Sequence, residues 1–197
     1  MKIEPVTLEG RFVRLEPLSL EKHFEGLCSI GLDADLWRWT IAQVSTREDM
    51  RKYLETALDE QFREISLPFA TVEKQTGRIV GSTRFGNIDA PNLKVEIGWT
   101  WIGKDWQRTF INTEAKLLML THAFEIWNCR RVELKTNALN SRSRAAILRL
   151  GATEEGVLRK HMINASGSPR DTVYFSIIDD EWALVKANLE SKLERKN

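Results

Sequence analysis

Apolar and polar positions along the chain follow two periods, and the switches between them outline the elements. Residues 12–16 alternate apolar and charged side chains as a half-buried strand does, and Pro17 closes the run. Ser19 stands as a helix cap ahead of Leu20, Phe24, Leu27 and Ile30, whose spacing predicts a helix to about Gly31. Residues 33–44 have no clean period and carry Trp37 and Trp39. Two indoles in an irregular segment serve either as packing anchors or as the wall of a binding cleft, and the sequence leaves both open. Thr46 with Asp49 caps a helix predicted to run to about Glu64, and Pro68 separates it from a β region. Residues 69–74, 78–88 and 93–102 are strand-like, and their short turn sequences at 75–77 and 89–92 require antiparallel neighbours.

The strongest helical pattern covers residues 112–127. Asn112 is its predicted cap, Glu114 suits the positive end, and Leu117, Leu120, Phe124 and Trp127 form a stripe. Ala115, Leu118, Met119, Ala123 and Ile126 make it apolar nearly all round, so it is expected to be buried. Residues 131–136 read as a strand reached by a very short link, parallel to the strand before the helix. Asn140 or Ser141 caps a helix that stops at Gly151. Strands at 152–163 and 172–178 flank a polar loop at 164–170. Asp179 or Asp180 then opens a last helix that buries Trp182, Val185, Leu189 and Leu193. With no internal repeat, residues 1–197 read as one α+β domain built on a mixed, mostly antiparallel sheet flanked by helices.

Composition narrows the classes. Apolar residues are 42% and charged residues 29%, as in a soluble globule, and the net charge of +1 offers no general pull toward nucleic acid or membrane. Apolar runs stop at four residues (117–120, for example), against the ~20 needed to span a bilayer. The first ten residues carry Glu4 and Glu9 and no apolar segment, so no signal peptide is expected and the reading is cytoplasmic. Cys28, Cys129 and the three histidines, His23, His122 and His161, match no metal-ligand spacing and read as core residues; no metal is expected.

One region suggests chemistry. A loop bearing Lys104, Gln107 and Arg108 runs directly into the strongest helix, whose N-terminal N–H groups carry a partial charge of ~0.5 suited to anions. From residue 129 to 150 there are six basic residues (Arg130, Arg131, Lys135, Arg142, Arg144 and Arg149) against one acid, Glu133. Either these form a solvated helix face, or two adjacent helix starts make a local positive field fit for a polyphosphate.

The words at 96–101 (EIGWTW), 107–116 (QRTFINTEAK), 140–143 (NSRS) and 150–156 (LGATEEG), with the opening at 8–18, resemble the GNAT acyl-CoA N-acyltransferases. Within them they are most similar to the branch of ribosomal-protein N-terminal acetyltransferases. The likeness runs from about Leu8 to Leu193 and implies a GNAT-like sheet with a splayed parallel strand pair, holding acetyl-CoA or coenzyme A as cosubstrate. It implies that Thr100, Trp101 and Ile102 pair through their backbone with pantetheine. It further implies that Gln107, Arg108, Thr109, Phe110, Ile111, Asn112 and Thr113 cradle the pyrophosphate. Asn140, Ser143 and Arg144 would lie along the cofactor toward its thioester end. Two positions depart from the family. Phe110 and Asn112 stand where its phosphate loop carries small residues, so the amides must face inward without glycine. Ile147 stands seven residues after Asn140, where many relatives have a tyrosine acid, which moves that role to Ser143.

Acyl transfer to an amine needs a neutral amine, a base and donors for the developing oxyanion. An α-amino group with pKa ~8 meets the first condition far better than lysine at ~10.4. Glu96 is the first choice of base, against the alternative of a strand glutamate facing solvent or paired with lysine. Ser143 is the acid, against a capping role alone, and Trp37, Trp39 and Arg84 border the acceptor. The favoured acceptor is a peptide or protein N-terminus. A small amine (polyamine, amino acid or antibiotic) and a non-catalytic acyl-CoA-binding protein are the alternatives. No nucleic acid or membrane partner is expected, and relatives suggest a homodimer.

Overall fold

The computed structural model describes residues 1–164 and 167–194. In chain order the elements are β1 (Leu8–Glu9), β2 (Val13–Pro17), α1 (Leu20–Gly31), α2 (Ala34–Trp37), α3 (Arg47–Phe62), β3 (Ser66–Glu73), β4 (Ile79–Asp89), β5 (Lys94–Ile102), α4 (Ile111–Thr121), β6 (Arg131–Asn137), α5 (Ser141–Leu150), β7 (Thr153–Ile163), β8 (Pro169–Ile178) and α6 (Asp179–Glu194). The caps explain most of the boundaries. Ser19 accepts the Lys22 N–H, Thr46 and Asp49 form a reciprocal capping box, and Asn140 accepts the Ser143 N–H. Gly151 ends α5 at φ 103°, a left-handed conformation that glycine adopts without a Cβ penalty.

The strands form an eight-stranded sheet in the order β1-β2-β3-β4-β5-β6-β8-β7. Every pairing is antiparallel except β5 with β6. That parallel pair is short: Lys94, Val95 and Glu96 face Arg131, Val132 and Glu133, and there the pairing stops. Strand β5 continues to Ile102 and β6 to Asn137, so beyond Glu96 the two strands diverge. One face of the sheet packs on α4 and α6 through a core that includes Val95, Ile97, Val132, Leu134, Phe175, Met119 and Leu189. The other face packs on α1 and α3 through Leu27, Met50, Leu54, Ala70 and Trp101. Among the described residues, no helix is long and apolar enough to cross a membrane.

Several boundaries differ from the pattern-based expectation. Pro68 does not separate helix from sheet but sits inside β3 opposite Arg84, just past the last β2 pair at Pro17–Phe69. There its missing N–H costs little. Helix α3 ends two residues before Glu64, and the irregular segment 33–44 contains the short helix α2, capped by Asp33. Asn112 is not a cap. Helix α4 begins one residue earlier, behind Phe110, and has no side-chain cap. The single helix expected to reach Trp127 widens into a π turn at His122–Ile126, with Trp127 N–H bonding to the His122 carbonyl. The added residue rotates the apolar stripe, so Ile126 is 63% exposed although the pattern placed it inside. Strand β8 begins at Pro169, and residues 165–166 of the expected loop at 164–170 lie outside the described residues.

Candidate active site

The divergence of β5 from β6 leaves one edge of residues 97–102 without a strand partner, because the opposite edge is taken by β4. Sheet backbone groups seek partners, so this gap is a ready slot for an extended amide-bearing ligand. Local irregularity shapes it. The β4–β5 register slips between Ser82 and Arg84, and Trp99 sits in the bulge at φ 49°. Its indole lies over Gly86, where an added Cβ would stand 2.3 Å from the ring. Thr100 bonds the Thr83 hydroxyl at 2.7 Å, and the Ile102 carbonyl accepts Gln107 Nε2 at 3.0 Å. Trp101 packs against Trp37 in the α1–α3 core.

At the far end of the slot stands the start of α4. The Thr109 hydroxyl accepts the Ile111 N–H at 3.3 Å, and no side chain caps the helix. The first N–H groups of such a helix have no intrahelical partner. Phe110 does not obstruct them: its ring packs, tilted by 40°, against Phe12 with centroids 4.3 Å apart, and its backbone is helical at φ −70°. The tight turn falls instead on exposed Arg108, at φ 63°. Asn112 and Thr113 occupy the first turn of α4, and Asn112 Oδ1 is buried without a partner among the described residues. The start of α5 meets the loop that precedes α4. Arg142 of α5 reaches across to Gln107 Oε1 at 2.6 Å. Asn140 and Ser143 share the cap of α5 there, while Arg144 pairs with Glu154 at 3.1 Å. The residues present therefore fit a ligand with a polyphosphate at α4 and an extended amide arm along β5.

The other face of the same strands carries a polar cluster. Glu96, the last paired residue of β5, is 3% exposed, and its Oε2 accepts Asn87 Nδ2 at 2.7 Å and pairs with Lys135 Nζ at 2.9 Å. Its Oε1 fills the space beside Gly98, where an added Cβ would lie 2.9 Å away. Lys135 also faces the rings of Trp99 and Tyr174. Buried Arg84 bonds Glu60 at 2.9 Å and sits between the rings of Tyr53 and Trp99, at 5.1 and 5.0 Å. Arg170 of β8 is 7% exposed and touches the Trp39 carbonyl.

Thus Glu96 and Arg84 come together on this face with the Trp39 backbone nearby. Trp37 does not join them. It is 1% exposed and donates its indole N–H to the Gly31 carbonyl, so it is a packing anchor. Ile147 is buried in the α4-side core. Both cysteines are buried, and burial pushes the Cys129 thiol up to about 11, far from a working nucleophile. Two depressions lie elsewhere: a shallow one of about 530 Å³ runs along Val157–Lys160 of β7, and one of about 210 Å³ lies beside Phe12 and Phe110. Neither touches Glu96. The residues the sequence reading passed over are Asn87, Trp99, Arg170 and Tyr174, and Lys135, counted there in a basic cluster suited to a polyphosphate, pairs with Glu96 instead. Lys135 with Glu133, and Arg170 with Tyr174, form polar alternations on strands whose other side is Val132, Leu134, Val173 and Phe175. A charged stripe on an interior strand was the available signal.

The Acetyltransferase (GNAT) domain family matches residues 13–153, more than half the chain. The chain belongs to the GNAT acetyltransferases. It is 36% identical over 106 residues to YdaF of Bacillus subtilis, a protein provisionally named a ribosomal N-acetyltransferase; the match covers 54% of this chain and 57% of YdaF. The chain spans less than two thirds of the curated relatives it matches, from 57% to 64% of their lengths. A GCN5-related N-acetyltransferase from Brucella melitensis superposes with a TM-score of 0.88 at 32% identity, over 95% of this chain and 85% of that one. Mycobacterium smegmatis RimJ, solved in complex with CoA-disulfide, shares the fold with a TM-score of 0.78 at 22% identity, over 91% and 88% of the two chains.

Proposed function

We propose that this chain is an acetyl-CoA-dependent N-acetyltransferase whose acceptor is a primary amine, in the first instance a peptide or protein N-terminus. The observation that carries the reading is the slot beyond Glu96, with a backbone edge of β5 on one side and an uncapped helix start at its end. The provisional name of YdaF, a ribosomal N-acetyltransferase, supports a protein acceptor. Bound acetyl-CoA supplies an activated acyl thioester. The chain supplies placement and proton handling. The amides of residues 112 and 113 take the phosphates, Gln107 and Arg142 border them, and the free edge of residues 98–102 takes the amide arm.

Glu96 is the base. Asn87 and Lys135 fix its Oε2, so Oε1 is the oxygen aimed past Gly98 to accept a proton, directly or through one water. Ser143, in the first turn of α5, holds the proton for the leaving side. Arg84, clamped by Glu60 and two rings, gives the acceptor channel a rigid wall. No covalent enzyme intermediate is needed, in keeping with two buried thiols.

The test has two arms. Saturating acetyl-CoA or CoA raises the unfolding temperature by several degrees, as ~2.7 kcal/mol at 100 times Kd requires. Glu96→Gln keeps that shift and lowers kcat on an N-terminal peptide about 100-fold. Unchanged turnover across pH would remove Glu96 as base. A shift without turnover on any peptide or small amine would favour an acyl-CoA-binding protein instead.

A further inference from the structure

Two buried cations and the half-buried Lys135 line the Glu96 face of the sheet, and two of the three have their counter-charges. Arg84 pairs with Glu60, and Lys135 with Glu96. Arg170 is the exception. It is 7% exposed, yet no carboxylate of the described residues lies within ion-pair distance. Its Nη1 reaches the Trp39 carbonyl at a long 3.4 Å, and its Nε has no partner among the described residues. A guanidinium brings five donors, and burying them unanswered is costly. Burial lowers its pKa from the ordinary arginine value, against an opposing pull from Glu96 and Tyr174.

Position identifies what those donors face. Val173, Phe175 and Ile177 of β8 point into the α4 core, so Arg170, Tyr174 and Ser176 take the opposite face, shared with Lys135 and Glu96. This is the acceptor face; the phosphates belong at the start of α4, on the other side. Trp39, whose carbonyl Arg170 touches, comes from the segment after α2. The planar fork of a guanidinium matches a carboxylate, which it can bind bidentately.

We propose that Arg170 is the carboxylate-binding residue of the acceptor subsite, so that the amine acetylated here belongs to a molecule carrying a carboxylate near its nitrogen. The inference rests on the acetyltransferase reading above. Two sources share this chemistry: an acidic side chain just after the N-terminal residue of a peptide, and the α-carboxylate of a free amino acid.

The experiment compares matched acceptors that differ only in the acid. Peptides beginning Ser-Asp or Ser-Glu are set against Ser-Asn and Ser-Gln, and free serine and glutamate against their α-amides. In the wild-type protein the acid of at least one pair has a kcat/KM ten or more times that of its amide, mainly through KM. The pair that discriminates names the source. In Arg170→Gln that ratio falls below two, and Arg170→Lys recovers part of it. CoA raises the unfolding temperature equally in all three proteins, which controls for folding. In parallel, calorimetry with the N-acetylated acidic and amide peptides shows the same ten-fold preference in the wild type.

Equal turnover of acid and amide in every pair would overturn the proposal while leaving the acetyltransferase reading intact. A preference that survives Arg170→Gln would also overturn it, since another group would be reading the acid. Absence of turnover with every acceptor would sink the enzymatic reading, and the calorimetric preference would then decide the subsite alone.

Discussion

Two buried ionisable side chains on α4 show how much of the chemistry depends on single contacts. Glu114 looked from its position like a residue placed for the helix dipole. In the fold it accepts the N–H groups of Arg11, Phe12 and Val13 at 2.8, 2.7 and 2.6 Å, and Gly10 leaves room for its carboxyl. Glu114→Gln turns one acceptor into a donor and is expected to cost about 2–4 kcal/mol in urea unfolding; a loss under about 0.5 kcal/mol would show that the three bonds add nothing. Lys116 is fully enclosed and bonds the hydroxyls of Thr83 and Thr100 at 3.0 and 2.6 Å, and burial lowers its pKa from 10.5 to about 7. Between those values the unfolded chain holds the proton and the folded one does not. Folding stability from this group therefore rises with pH through that window. Unfolding free energies of wild type and Lys116→Met should accordingly differ by an amount that moves in favour of the wild type from pH 7 to 10; a pH-independent difference would contradict it. Neither role was legible in the sequence, because a lone Glu or Lys on a helix gives no sign of which loop or strand will close over it.

At the level of elements, strand and helix order was legible because periodicity, caps and turn residues agree locally. Ser19, Thr46 with Asp49, Asn140 and Gly151 all perform the roles their types suggest. What failed was local geometry decided by packing: the π turn after α4, the early start at Ile111 and the bulge at Trp99. The loop before α4 is the instructive case. Phe110 looked like an obstacle, but its ring belongs to the β1–β2 side, against Phe12. Phe110→Ala is expected to reduce stability by about 1–2 kcal/mol through the lost ring pair. CoA affinity measured by calorimetry should change less than threefold. A tenfold change would place the ring in the binding site.

Across the whole molecule, the sheet is two blocks, β1–β5 and β6–β8, joined by three residue pairs. The parallel pair was predictable from the short link after α4, but its early end at Glu96 and Glu133 was not, since both strands keep a strand-like pattern well beyond it. A ligand filling the slot would touch both blocks. Amide exchange at residues 98–102 and 134–137 should therefore slow together on CoA addition, while β2 and β3 are unaffected; slowing confined to one strand would place the ligand elsewhere. The polar face around Glu96 was partly legible. Glu96 and Arg84 stood out as charges in strand patterns, whereas Lys135 and Arg170 acquire meaning only once β6 and β8 lie beside β5.

The short seam also has a kinematic consequence. Two blades joined at one end form a lever whose fulcrum is the last paired residue, and that residue is Glu96. At ~3.3 Å per residue the tip of β5 at Ile102 lies about 20 Å from the fulcrum. Any spreading of the blades is therefore largest at the tips and smallest at the carboxylate. The jaw can widen and narrow at its tips while the Glu96 carboxylate stays nearly still.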